Sequence, residues 1–246
     1  LIDSADYYKY TSATDALGFK YIFDYADSLG KPCVASFSEG YPPYLDEEDS
    51  LFSAFLDSLT GPGRIIVAAA GNESYLKTYM HKPAGQEAAG AFIQTNKEQA
   101  FYRIKADGPL YFNVLAYADG KEPTGILHFV SDSLCRDSLL TDTLFLANDT
   151  CAVTIDRYPS AFSADTVYNI LLTTQHSTLN TLPPLALVVE GTDSSAEVFV
   201  SSTYALAARP NIDPQWNAAE VGHNIHAPGC FPSVIFVGAT THRLDD

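Results

Sequence analysis

Arg64-Ile65-Ile66-Val67-Ala68-Ala69-Ala70-Gly71-Asn72-Glu73 decides how this chain is read. A run of apolar and small residues ending in Gly-Asn-Glu has the composition of a buried parallel strand whose tip delivers one amide side chain. Two meanings are open for that amide. Either a core strand runs into an Asn-containing turn, or an Asn held at a strand end donates a hydrogen bond to a developing oxyanion. The neighbouring segments have to decide.

Upstream, Asp15 to Leu29 places Ala16, Phe19, Tyr21, Ile22, Phe23, Ala26 and Leu29 on a helical face, and Gly30 stops it. Cys33-Val34-Ala35-Ser36-Phe37 follows as a strand and ends in Ser38-Glu39-Gly40. After a Pro-rich turn, Asp46 to Leu59 forms a second helix with Leu51, Phe52, Phe55, Leu56 and Leu59 on one face. Its first turn is crowded with acids, where the helix dipole favours them. Helix, strand, helix, strand predicts a parallel sheet with crossover helices, an arrangement that puts functional groups at the carboxyl ends of strands.

From Glu87 to Ser202 the texture changes. Short β-rich runs recur at hairpin spacing, among them Ala100–Lys105, Tyr111–Tyr117, Ala152–Tyr158, Val167–Gln175 and Leu185–Glu190, with turn residues between them. Such a succession makes a β-sandwich or jelly roll. The first texture returns in Ala227 to Thr240, a turn followed by a buried strand. The expected organisation is an α/β segment over 1–84, an inserted β-sandwich over 85–207 and a continuation of the α/β segment over 208–246. Insertion at an exposed loop is structurally easy.

Composition bounds the partners. With 246 residues and 46% hydrophobic content the chain is globular. Acidic residues outnumber Lys plus Arg by 30 to 14, and a net charge of −16 argues against nucleic acid or an anionic membrane surface as partner. No run approaches the roughly 18 to 20 apolar residues of a membrane span. Leu1 is not a start methionine, so an export signal upstream of it is compatible with the sequence. Cys33 and Cys230 read as free structural thiols. Cys135 and Cys151 flank a short polar connection and either pair in an oxidising compartment or stay reduced, because sequence does not give their Cα separation.

Three segments resemble one family in the right order. Lys31 to Gly40 resembles the cleft-lining strand of subtilisin-like serine proteases, Val67 to Glu73 their oxyanion-hole strand, and Phe231 to Ala239 the Tyr-Pro-Ser-Val-Ile-x-Val-Gly-Ala segment that follows it. The β-rich interruption is similar in place and kind to the jelly-roll insertion of the clostridial germination-protease branch. The resemblance therefore implies an α/β parallel-sheet subtilisin-like segment interrupted by an all-β, jelly-roll-like sandwich. It implies peptide-bond hydrolysis in which a Ser attacks, a His takes its proton and an Asp orients the His.

On this likeness Asn72 is the oxyanion-hole donor. Ser38, Glu39, Gly40 and Gly71 present backbone to an extended polypeptide substrate. Glu39 stands where the family has an apolar residue and biases the specificity pocket toward basic side chains, or faces solvent. The likeness implies a secreted, periplasmic or cell-surface protein and no cofactor beyond a structural calcium ion. It allows a propeptide, and a glycan or protein ligand for the sandwich.

The triad is not in this sequence. No His-Gly-Thr-His or Gly-Thr-Ser-Met-Ala occurs, and the catalytic Asp, His and Ser are expected outside it, which would leave the isolated chain inactive. Ile2-Asp3-Ser4 and Gly191-Thr192-Asp193-Ser194-Ser195 are faint likenesses of the acid and nucleophile loops. The first lacks a following His motif, and the second runs into a strand instead of a helix. His223 and His226 have a spacing that suits a metal on a helix, but Gly222 and Pro228 frame them as loop. The alternative reading is a non-catalytic pseudoprotease or adhesion module, with Phe101, Tyr102, Tyr111, Phe112 and Tyr117 as a sugar platform or as core.

Overall fold

The computed structural model describes residues 11–118, 122–131, 139–146, 149–200 and 205–238. In chain order the elements are α1 (Ser12–Ser28), β1 (Cys33–Phe37), α2 (Glu47–Leu59), β2 (Arg64–Ala69), β3 (Lys77–Lys82), β4 (Ala88–Gln94), β5 (Gln99–Ala106), β6 (Tyr111–Ala116) and β7 (Gly125–Val130). There follow β8 (Leu140–Phe145), β9 (Thr150–Pro159), β10 (Thr166–Thr174), β11 (Leu185–Glu190), β12 (Ala196–Val200), β13 (Ala205–Ala207), β14 (Ala219–Val221) and β15 (Ile235–Val237). Contacts divide the chain into two compact units, residues 1–72 with 225–246, and residues 73–224.

In the first unit, β1, β2 and β15 form a parallel sheet with β2 in the middle. Asp46 caps α2 by accepting a hydrogen bond from the Asp49 N–H at 3.0 Å, and Glu47 and Glu48 sit in the positive end of the helix. Helix α1 ends where the N–H groups of Gly30 and Lys31 bond back to Asp27 and Ala26. The two helices bury Ala16, Phe19, Phe23, Phe52, Leu56 and Leu59 against Ala35, Ile66 and Ala68. Tyr21, Ile22, Leu29 and Leu51, placed on the buried helical faces by their spacing, are exposed instead. Strand β2 is buried only at Ile66 and Ala68, and Ile235, Phe236 and Val237 of β15 are all exposed, so neither strand is buried throughout.

The second unit holds a seven-stranded sheet, β14-β3-β12-β5-β10-β9-β8, and a five-stranded sheet, β13-β4-β11-β6-β7, with every pairing antiparallel. Alternating inward residues of both sheets share one cluster that includes Met80, Tyr102, Ile104, Phe112, Val153, Ile170, Leu187 and Val198. The rings of Phe112 and Tyr168 meet across it with centroids 4.9 Å apart. The unit is therefore a β-sandwich.

Strands hold 44% of the described residues and helices 16%. This overturns the expectation of an α/β parallel-sheet fold. The chain is mostly β, because parallel pairing is confined to three short strands while the sandwich occupies the longer stretch. The units also divide at 72/73 and 224/225, since β3 and β14 pair with each other at the edge of the seven-stranded sheet. No helix among the described residues is long and apolar enough to cross a membrane.

Candidate functional site

At the carboxyl ends of β1 and β2, three stretches of the first unit converge. Ser38–Tyr41 continues from β1, Ala70–Asn72 continues from β2, and His226–Cys230 closes against both. Tyr41 and Ala227 exchange two backbone hydrogen bonds, at 3.1 and 2.8 Å. The His226 N–H donates to the Ala70 carbonyl at 3.1 Å, and the Ala70 N–H donates to Val237 at 2.9 Å. Three wall segments are thus fixed by main-chain bonds, independently of their side chains.

Gly40 is needed for this closure. A Cβ there would lie 2.8 Å from the His226 Cβ and 2.9 Å from the Ala227 carbonyl oxygen. Beyond β2, Gly71 takes φ 111° and turns the chain so that exposed Asn72 follows the strand end. Ser38, Glu39 and Gly40 are exposed too, and among the described residues no backbone hydrogen bond uses their N–H or C=O groups. A row of unused main-chain donors and acceptors at a strand end is what an added extended peptide requires.

Beneath the wall lies a buried carboxylate. Asp49 accepts from the Tyr41 hydroxyl at 2.9 Å and from the Leu45 N–H at 2.6 Å, holding Leu45 at φ 61°. Burial pushes the Asp49 carboxyl up, and those two donors only partly offset it. Burial and then the Asp49 charge push the Tyr41 phenol up. Desolvation and then Asp49 also push the thiol of exposed Cys230 up to about 11, so it is a neutral thiol at pH 7 and a poor nucleophile. Asp15 on α1 is raised by burial and then by the charge of Glu39. Glu39 thus stands in an acidic neighbourhood at the rim.

The other sequence candidates fall elsewhere. Ile2-Asp3-Ser4 and Cys135 lie outside the described residues, and Cys151 is a free, buried thiol. Ser194 donates to the Pro109 carbonyl at 2.8 Å, Ser195 donates to Asp107 at 2.9 Å, and Lys82 caps the Gly191 and Ser194 carbonyls, so Gly191–Ser195 is a packed junction of the sandwich. His223 stacks on the Tyr79 ring at 3.9 Å. Among the described residues no group of three or more His, Cys, Asp or Glu is placed to hold a metal ion. Tyr102, Phe112 and Tyr117 are buried and cannot line a sugar platform, Phe101 is half-buried, and Tyr111 is exposed beside His128. Sequence reasoning missed His226–Cys230 and Asp49 as parts of the wall. The Pro228-Gly229 turn was the visible signal for the first, and nothing marked the second.

No protein-family model matches the chain. No curated protein matches it. Among solved structures, it is similar to the CspB protease of Clostridium perfringens, at 15% identity and a TM-score of 0.65, over 94% of this chain and 46% of that one. At that identity the likeness is one of fold. The chain spans about half the length of the structure it matches.

Proposed function

We propose that this chain is part of a secreted or cell-surface subtilisin-like serine endopeptidase whose Asp, His and Ser triad lies in other segments of a longer parent polypeptide. In this reading the substrate peptide lies along Ser38, Glu39 and Gly40, with Gly71 giving the backbone room. The Asn72 amide, with the N–H of the nucleophile, stabilises the oxyanion of the tetrahedral intermediate. Glu39, beside Asp15, favours a basic residue in the bound peptide. No metal ion takes part in the chemistry, and the sandwich interrupts the peptidase fold between Asn72 and the nucleophile.

The observation that carries the reading is the convergence of the three wall segments, with unused backbone groups on one and Asn72 at the end of another. The fold likeness to a protease across nearly the whole chain supports it. A serine-directed fluorophosphonate should label the parent protein and leave the isolated 246-residue chain unlabelled. Asn72→Ala in the parent should lower kcat by about 10²–10³ with little change in KM, the loss expected for one oxyanion donor. An unlabelled, inactive parent would mean that the wall serves binding alone.

A further inference from the structure

Helix α2 opens with three acids in a row, and the third differs from the other two. Glu47 and Glu48 are exposed, whereas Asp49 is 1% exposed. A carboxylate withdrawn from water has to be supplied with donors. Capping does not require it, because Asp46 already accepts the Asp49 N–H at the start of the helix. The donors that hold Asp49 come instead from the connection between the wall and the helix. Tyr41, the last residue of the wall segment that leaves β1, gives its hydroxyl, and Leu45 gives its N–H.

Leu45 adds a second, independent observation. Among the described residues, it and His223 are the non-glycine residues with positive φ. A leucine in the left-handed region is strained by its Cβ and persists only where the surroundings over-determine it. Pro42 and Pro43 stiffen the link between Tyr41 and Leu45 and have no N–H to give. The Asp49 carboxylate therefore grips that link at both of its ends.

Tyr41 in turn exchanges two main-chain bonds with Ala227, and Gly40 before it packs on His226. The phenol thus anchors a residue whose backbone already ties two wall segments together. Asn72 is held differently. The bonds of Ala70 to His226 and Val237 fix its segment, and Asp49 takes part in neither.

We infer that Asp49 is a positioning residue for the peptide-binding strand, acting through the Tyr41 hydroxyl and the Leu45 N–H to hold Ser38, Glu39 and Gly40 in the conformation that offers their main-chain groups to substrate. On the reading that this wall binds a polypeptide, on which this role rests, Asp49 acts on substrate binding and leaves the Asn72 side of the wall untouched.

Two variants of the parent protein test this. Asp49→Asn keeps the shape but turns an amide donor toward one of the two groups that donate to the carboxylate. Tyr41→Phe removes the hydroxyl alone. Each should raise KM for an extended peptide by about three- to tenfold, the order expected for one hydrogen bond to a charged group. kcat, and the rate of labelling by a serine-directed fluorophosphonate that has no peptide to seat, should stay within about twofold. The double variant should raise KM no further than the larger single effect, because both substitutions break one link. Amide exchange should quicken at Tyr41 and Ala227 in both variants and stay unchanged across β2. Unchanged KM together with unchanged exchange overturns the inference. So does a joint loss of kcat, labelling and affinity with exchange quickened across β2, which is a general loosening, and so does an additive double variant, which removes the route through Tyr41. A parent that neither labels nor cleaves peptide, yet quickens at Tyr41 and Ala227 alone, keeps Asp49 as the positioning residue and removes the peptidase; labelling and turnover with unchanged exchange and KM does the reverse.

Discussion

Lys82 is the residue whose position is least expected from its chemistry. It is 1% exposed on β3, and its ammonium donates to the carbonyls of Gln86 at 3.1 Å and Ser194 at 2.6 Å as well as to Gly191. A buried ammonium held by main-chain oxygens pins two loops of the sandwich at one point. Lys82→Met should fill the space but strand those carbonyls without a donor, lowering the stability of the sandwich by about 3 kcal/mol in urea unfolding followed by circular dichroism. Gly40 is the matching case in the wall. Gly40→Ala should cost about 1–3 kcal/mol by overpacking against His226, and in the parent it should raise KM more than it lowers kcat. Neither residue was legible beforehand. Lys82 reads as a solvent-facing strand residue, and the fit of Gly40 depends on a segment far away in sequence. What was legible is the position of Ser38, Glu39, Gly40, Gly71 and Asn72 after the ends of β1 and β2, because turn residues there follow apolar runs; the packing of Gly40 was not.

Trp216 provides a probe of how a loop covers a sheet. Its indole lies over the outer face of the five-stranded sheet against Phe92, Tyr117 and Val188, and its Nε1–H donates to the Tyr117 hydroxyl at 2.7 Å, which in turn donates to Asp213 at 2.9 Å. Gly90 on β4 makes room, since a Cβ there would come within 2.6 Å of the indole. Gly90→Ala should displace the loop and shift the emission of the chain's single tryptophan to the red. On the seven-stranded sheet, Glu197 of β12 meets Lys105 of β5 at 2.5 Å and accepts from the Tyr79 hydroxyl of β3 at 2.8 Å. Burial pushes its carboxyl up, but those two donors outweigh burial and hold it below the usual range. A carboxyl that takes its proton less readily when folded stabilises above its unfolded pKa, and that contribution disappears as pH falls through the folded value. Urea midpoints of the sandwich should therefore drop between about pH 5 and pH 3, and Glu197→Gln should flatten that decline. Most strands of the sandwich were legible from their alternation. β3 was not, because its lysines and histidine mask a strand with Tyr79, Met80 and Lys82 buried.

Across the molecule, the sequence pattern located two textures but misjudged their weight, reading the fold class from the minority one. Periodicity identifies an element's type, whereas the class of a chain depends on how many residues each pairing pattern recruits. The surplus of acids behind the net charge of −16 is spread over helices, strands and connections, as Asp24, Asp57, Asp156 and Glu197 show, and says nothing about topology. The interrupted layout of the first unit has a further consequence, for the order of folding. β2 and β15 can pair only when the chain closes over everything from Glu73 to Asn224, and closing a flexible loop of that length costs about 4 kcal/mol in chain entropy. The sandwich removes that cost in advance. Its own two ends are tied by the Asn224 side-chain amide donating to the Glu73 carbonyl at 2.7 Å. Once the sandwich has formed, Asn72 and Ile225 emerge side by side, and the parallel sheet zips as though its two halves were consecutive. The inserted body is thus a kinetic clasp: pulsed hydrogen exchange during refolding should protect β5, β10 and β12 before β2, and an order reversed in that experiment would refute the clasp.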